Sequence, residues 1–392
     1  MLQRDVVIVD GCRTPSARRN GGLSGLHPSE LLGVSQRAVL ERVGADPAMV
    51  DQVVCGCISQ SGAQSYNIGR TAWLAAGLPI TVPATTVDSQ CGSSQQAAGL
   101  AASLVASGAV DVAMACGVEN MSMLPIGAST RAGPGRALTK AYFERYEFID
   151  QFEAGERIAA KWGLTRRELD EFGLESQRRA KRAWAEGRFD REVVPVDAPV
   201  LGEDGKPTGH LRHVARDEGL RDTSLEALAA LEPVVREDGY HTAGTSSQIA
   251  DQSSAVLMMT AERAAGLGLR ARARVVDHCL VGTDPVLKLT GPIDATQLLL
   301  ERNDMTIDAL DIIEINEAFA SIVLAWAREV KPDMDKVNPN GGAIAIGHAL
   351  GSTGTRLITT ALHELERSDG EWALVTMCCG GGLGTGTLIQ RM

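Results

Sequence analysis

The same series of elements occurs twice in this chain. In the first pass Val53-Val54-Cys55-Gly56 is followed by a turn around Cys91, a helix, and Ala109-Val110-Asp111-Val112-Ala113-Met114-Ala115-Cys116-Gly117. In the second, Ile312-Ile313-Glu314-Ile315 is followed by a turn around His348, a helix from Gly351 to Glu366, and Ala373-Leu374-Val375-Thr376-Met377-Cys378. Each pass closes on an apolar strand that ends in cysteine and glycine. Short apolar strands alternating with helices read as the α/β class, and a recurrence on this scale constrains the chain to two similar halves.

Cys91 lies in Asp88-Ser89-Gln90-Cys91-Gly92-Ser93-Ser94. Ala84-Thr85-Thr86-Val87 reads as a short β-branched strand, and Ser93 to Ser107 as a small-residue helix closed by Gly108. The cysteine therefore falls at a strand-to-helix turn. Free N–H groups and the positive end of the helix dipole favour a thiolate there, drawing a cysteine pKa from about 8.5 towards roughly 3.5–7.5. A buried structural cysteine is the competing reading, since most free cysteines are of that kind.

The C-terminal region adds three more groups in order. Asp311-Ile312-Ile313-Glu314-Ile315 reads as a strand running into Asn316-Glu317-Ala318-Phe319-Ala320, which puts Asn316 near another strand-to-helix junction. The glycines of Asn338-Pro339-Asn340-Gly341-Gly342 and Gly347 let backbone approach a ligand and aim His348 into a cleft. Trp372 to Met377 reads as a buried strand that delivers Cys378 to the Gly380-Gly381-Gly382 turn. A carbon–carbon bond enzyme working on thioesters needs this set: one thiol holds an acyl group while another moves a proton at the carbon being made or broken.

In chain order, Cys91-Gly92-Ser93, Asn316-Glu317-Ala318-Phe319, the run from Asn338 to His348, and Cys378-Cys379-Gly380-Gly381-Gly382-Leu383-Gly384 resemble the motifs of the thiolases, the acyl-CoA C-acyltransferases. Four ordered motifs weigh far more than one glycine-rich match. The resemblance implies an α/β thiolase fold: duplicated βαβαβαββ halves in a layered α-β-α-β-α arrangement with an inserted lid. Residues 1–119 with 248–270 are expected to form the N-terminal half, 120–247 the lid, and 271–392 the C-terminal half.

The resemblance also implies roles. Cys91 would attack the thioester carbonyl and carry the acyl group, with His348 taking its proton. Cys378 would be the second acid/base, protonating the departing acetyl-CoA carbanion in cleavage or deprotonating the acetyl-CoA methyl in condensation. His348 and a water held by Asn316 would form one oxyanion hole, and the N–H groups of Cys91 and Gly380 the other, each donor being worth roughly 2.7–4 kcal/mol. The Cys-x-Gly-Gly-Gly frame makes Cys378 the active thiol, with Cys379 at x. A vicinal disulfide is the rival reading, but it is strained and out of place in a reducing cell. Tyr240-His241-Thr242-Ala243-Gly244-Thr245-Ser246-Ser247 resembles the pantetheine loop, which implies contacts from Ser247, Ala243 and Gly244, with Ala318 and Phe319 facing the same channel and Arg221 near the nucleotide end. His241 and the remaining histidines read as structural or exposed.

Several departures bear on substrate. Gln151-Phe152-Glu153-Ala154-Gly155-Glu156 stands where the family usually has Met-Gly-x-Thr-Ala-Glu, so the methionine that closes on short acyl groups is gone. That run and Arg19-Asn20-Gly21-Gly22-Leu23-Ser24-Gly25-Leu26-His27 resemble thiolases of steroid side-chain breakdown, which implies a longer or bulkier 3-ketoacyl-CoA. The alternatives are a short-chain acetyl-CoA C-acetyltransferase and a non-catalytic acyl-CoA-binding protein on the same fold. Ketoacyl synthases lack a second catalytic cysteine, and a cysteine hydrolase would need neither Cys378 nor the pantetheine loop.

The 38 basic against 49 acidic residues leave a net charge of −11, which argues against a nucleic-acid surface. Eight cysteines without CxxC spacing suggest neither a metal site nor a disulfide framework. No cofactor is expected beyond coenzyme A as substrate. With no signal peptide and no apolar run of about eighteen residues, the expectation is a cytoplasmic, non-membrane homodimer or homotetramer that meets acyl-CoA and CoA. Thr165-Arg166-Arg167-Glu168 has capping-box form and starts an amphipathic helix whose arginines read as a solvated face. Gly202 to Pro207 reads as a turn or hairpin.

Overall fold

Runs such as Val6-Val7-Ile8-Val9 have no polar alternation, so the strands they form must be covered on both faces. The computed structural model, which describes residues 4–131 and 133–392, places them accordingly. Its strands are β1 (Val6–Arg13), β2 (Ala17–Arg18), β3 (Gln52–Gly56), β4 (Ala84–Val87), β5 (Val112–Asn120), β6 (Val196–Leu201), β7 (Pro207–Val214), β8 (Ala250–Thr260), β9 (Ala273–Gly282), β10 (Ile312–Ile315), β11 (Trp372–Cys379) and β12 (Leu383–Arg391). Every residue of β1, β5 and β8 is buried.

The strand order is β10-β11-β12-β9-β1-β8-β5-β3-β4, with β2 on β8 and β6-β7 as a separate hairpin. The two halves of this order repeat each other. β3 lies parallel to β5, β5 antiparallel to β8, and β8 antiparallel to β1. Likewise β10 lies parallel to β11, β11 antiparallel to β12, and β12 antiparallel to β9. The half-sheets meet where β1 pairs with β9 through Val7↔Arg274 and Ile8↔Ala273. The second half has no strand matching β4; a single bridge from Val337 to Ile313 stands in its place.

Three apolar layers separate these elements. On one outer face, Val7, Val9 and Leu257 pack against Leu31, Leu32 and Trp73 of helices Pro28–Glu41 and Ile68–Ala75. On the other, Ile313, Ile315 and Leu374 pack against Leu299 and Trp326 of helices Gly291–Arg302 and Ala320–Val330. Between the half-sheets lie helices Ser93–Ser107 and Thr353–Ser368, whose Ala97, Ala101, Leu357 and Ala361 share one cluster with Val6, Val256, Ala373 and Val375. This is the α-β-α-β-α layering that the resemblance implies. The central helices approach so closely that a Cβ on Gly354 would stand 2.2 Å from the backbone N of Gln95.

Between β5 and β8 the chain forms an excursion whose Ile158, Leu164 and Leu169 pack with Ala320, Ile322 and Ile344. Helix Arg166–Ala185 starts on the expected capping box, with Thr165 and Glu168 each bonding the other's backbone N–H. The solvated-face reading holds for Arg167 and Arg178, which are exposed, and fails for Arg166 and Arg179, which are partly buried. Arg179 reaches the carbonyls of Met334 (3.1 Å) and Val337 (2.5 Å), Arg182 that of Pro339 (3.3 Å), and Arg166 that of Leu228 (2.6 Å). Arg179 and Arg182 thereby tether the excursion to the loop 334–339, whereas Arg166 holds the end of helix Leu225–Ala229 within the excursion.

Candidate active site

Gln90 occupies the left-handed region at φ 53°, which turns the chain sharply between β4 and helix Ser93–Ser107. Asp88 stabilises the turn by accepting from the Gln90 N–H at 2.7 Å, and Ser93 Oγ closes it by donating to Gln90 O at 2.6 Å. Cys91 is left at the helix entrance, 5 % exposed. Burial pushes its thiol up to about 11, with Glu119 and Asp88 adding to the rise, while N–H groups of Gly380 and of Cys91 itself pull the other way. The helix-start argument predicts a lowered pKa; enclosure wins over the dipole, so the resting group is a thiol.

His348 follows Gly347, whose φ of 111° suits glycine, and its own N–H donates to Gln248 O at 2.8 Å. Thr353 Oγ1 spends its proton on Ala349 O (2.8 Å), so it accepts from His348 Nδ1–H at 2.7 Å. That fixes the tautomer: Nε2 carries a lone pair and accepts from Asn316 Nδ2 at 3.3 Å. Burial, reinforced by the Arg356 charge, lowers the imidazole to about 3. His348 is therefore a neutral base at any ordinary pH. Asn316 follows β10 directly, and its Oδ1 is buried without a partner.

Successive residues of β11 face opposite ways. Cys378 enters a cluster with Ile149, Leu289, Ala318 and Phe319, whereas Met377 and Cys379 face the central helices. Cys379 lies against Gly92, where a Cβ would meet its Sγ at 2.5 Å. The Cys378 thiol is held well above its ordinary value by burial and then by its neighbours Cys91 and Cys379. All eight cysteines are free and buried. Among the described residues no group of three or more His, Cys, Asp or Glu could hold a metal ion, and no helix is long and apolar enough to cross a membrane.

The structure thus sets Cys91 against the Gly380 N–H with Cys378 beside it, and pairs His348 with Asn316, whose own N–H donates to Thr376 O of β11 at 3.1 Å. Ser247 joins them by donating its N–H to Ala318 O at 2.9 Å, and Phe319 bridges back to Ser246. Arg221 stands further out, exposed, its guanidinium 3.4 Å from Gln248 Oε1. Ala243 and Gly244 lie on the Thr242–Thr245 turn; Ala243 is exposed, and a Cβ on Gly244 would meet Leu228 at 2.3 Å. His241 is buried between Glu156 Oε1 (3.1 Å) and Ser321 Oγ (2.9 Å), a structural position as expected.

One buried group escaped the reading of the sequence. Glu119 accepts from the N–H groups of Ile58 (3.1 Å), Ser59 (3.0 Å) and Gly351 (3.1 Å) and from Gln64 Nε2 (2.7 Å), which ties the end of β5 to the loop carrying His348. Its position at the close of an apolar strand is the only hint the sequence offers.

The arrangement is a duplicated α/β scaffold that carries a pair of neighbouring thiols and a neutral imidazole paired with an amide. Comparison with known proteins agrees. The thiolase N-terminal domain matches residues 6–262 and the thiolase C-terminal domain residues 269–391. The steroid 3-ketoacyl-CoA thiolase FadA6 of Mycobacterium tuberculosis is 44% identical over 100% of this chain and 95% of its own, and a beta-ketoadipyl-CoA thiolase of Pseudomonas aeruginosa 40% over 100% of both. The crystal structure of the Bacillus anthracis acetyl-CoA acetyltransferase superposes with a TM-score of 0.91 at 34% identity, and that of human mitochondrial 3-ketoacyl-CoA thiolase with 0.89 at 31%, each covering 100% of both chains. The chain belongs to the thiolase family.

Proposed function

We propose that this chain cleaves 3-ketoacyl-CoA with CoA through an acyl-Cys91 intermediate, and that its acyl group is bulky. The observation that carries the chemistry is the Cys91 sulfur against the Gly380 N–H, with Cys378 beside it. His348 Nε2 takes the Cys91 proton, and the sulfur attacks the 3-keto carbon. The imidazolium Nε2–H, with a water on Asn316, and the N–H groups of Cys91 and Gly380 supply the two oxyanion holes. The C2–C3 bond breaks, its electron pair passes to C2, and the Cys378 thiol protonates that carbon to release acetyl-CoA. CoA then attacks acyl-Cys91, its thiol proton going back to Cys378; the Cys91–acyl bond breaks, the shortened acyl-CoA leaves, and the His348 imidazolium returns its proton to the Cys91 sulfur. Ser247, Ala243, Gly244, Ala318 and Phe319 line the pantetheine path, and Arg221 serves the nucleotide end.

The bulk of the acyl group is argued from the lid. Phe152 packs edge-on against Phe319 at 5.0 Å, and Phe319 shares the apolar cluster of Cys378; Phe143 and Phe148, both exposed and edge-on to each other at 6.5 Å, form an aromatic wall in the same excursion. Flat apolar rings suit a ring-bearing acyl group better than an acetyl group. The test is CoA-dependent loss of 3-ketoacyl-CoA absorbance with acetoacetyl-CoA, 3-ketodecanoyl-CoA and a steroid side-chain 3-ketoacyl-CoA. Preference for the larger thioesters is expected. Activity confined to acetoacetyl-CoA moves the reading to the short-chain acetyltransferase, and no activity with any of them favours the binding protein.

A further inference from the structure

Lys288 is a buried cation that the thiolase chemistry does not use. It belongs to the loop 283–290 between β9 and helix Gly291–Arg302, and it is held in the left-handed region at φ 42°. That loop abuts the catalytic turn: Thr283 N–H donates to Gly382 O at 2.7 Å, and a Cβ on Gly382 would meet Pro285 Cα at 2.8 Å. Leu289, next to the lysine, shares the apolar cluster of Cys378, Ala318 and Phe319.

The residue is 5 % exposed. Its ammonium donates to the carbonyl of Ile149 and stands over the Phe148 ring, 4.5 Å from the centroid. Both partners come from the excursion, so the cation sits where the lid meets the catalytic loop. Among the described residues no carboxylate lies within 4.0 Å of it, and only one of its three N–H donors has an acceptor. A buried ammonium without a counter-ion is costly, and an aromatic face offsets only part of that cost. Burial accordingly holds Lys288 below the ordinary lysine range, with Asp150 acting against it.

We propose that Lys288 is a specificity residue that binds a carboxylate at the far end of the acyl group, so that the preferred substrates are 3-ketoacyl-CoA thioesters of dicarboxylic acids. This rests on the thiolase reading. A lysine among Ile149, Phe148 and Leu289 disfavours a plain hydrocarbon end, and its two free donors match the two oxygens of a carboxylate. The aromatic wall covers the apolar middle of such a substrate.

The experiment compares thiolysis of two equal-length pairs, 3-oxoadipyl-CoA with 3-oxohexanoyl-CoA and 3-oxosuberyl-CoA with 3-oxooctanoyl-CoA, using wild type, Lys288→Met and Lys288→Arg. Wild type is expected to favour the acid of at least one pair tenfold or more in kcat/KM. In Lys288→Met that ratio falls at least tenfold, mainly through KM, and Lys288→Arg restores much of it. A wild-type ratio near or below one in both pairs overturns the inference, even if Lys288→Met does not fold. So does an equal loss on both members of each pair, which would mean that the lysine serves CoA or the fold. Thiolysis of the methyl-ended substrates without acid preference sinks this inference alone, whereas no thiolysis of any substrate overturns the parent reading with it.

Discussion

At the scale of single residues, enclosure governs Cys91 more than the helix start does. Its thiol, pushed up to about 11, opposes the lowering that the turn and the helix dipole exert. Because burial favours the neutral form, the thiolate fraction keeps growing well above pH 8.5. Alkylation of the Cys91 peptide by iodoacetamide should therefore climb through pH 10 in the free enzyme, read by mass spectrometry; a plateau near pH 7 would contradict this. His348, lowered to about 3, stays an unprotonated base from pH 5 upward, so acylation should show no loss on titrating through 6.5. Thr353 holds the tautomer that makes Nε2 the base, and Thr353→Val should slow acylation by roughly 10²-fold with little change in KM. Cys91, His348, Cys378 and Gly380 stand out in the sequence because each sits in a local glycine-bearing frame, and Asn316 because it opens the Asn-Glu-Ala-Phe run after a strand. The direction of the Cys91 shift was hidden, because it comes from burial in the folded chain, with Glu119 and Asp88 adding to the rise, and enclosure leaves no mark on the local motif.

At the scale of elements, the central helices depend on close contact. A methyl on Gly354 would press on the Gln95 backbone, which cannot rotate away as a side chain can. Gly354→Ala should destabilise the fold by about 1–3 kcal/mol despite its better helix propensity, seen as a lower midpoint in urea. An unchanged midpoint would show that the helices can separate at little cost. Local signals were readable here. Gly108 ends helix Ser93–Ser107 in the left-handed region at φ 78°, Thr165 and Glu168 form their box, and β6 and β7 flank the expected hairpin turn. The arginine tethers and Glu119 were not readable, because their partners are backbone groups on distant loops, which leave no mark on sequence spacing. The β4 counterpart is likewise lost: Val337 makes one bridge and the chain turns at once into the His348 loop.

At the scale of the whole molecule, the repeat seen in the sequence explains why the site lies where it does. Cys91 and His348 occupy matching turns of the two halves, each before a central helix, and those helices lie side by side between the half-sheets. Neither half has a complete core alone, since the central cluster takes Val6 and Val256 from one and Ala373 and Val375 from the other. A fragment 271–392 expressed by itself should show no cooperative thermal transition by circular dichroism; a sharp one would mean that the halves fold independently. The central claim is that Cys91 carries the acyl group and Cys378 moves the proton. Intact-protein mass spectrometry after mixing with acetyl-CoA tests it most directly. One acetyl group is expected on wild type and on Cys378→Ala, none on Cys91→Ala, and no thiolysis from either variant. Equal acetylation of Cys91→Ala and wild type would contradict the account.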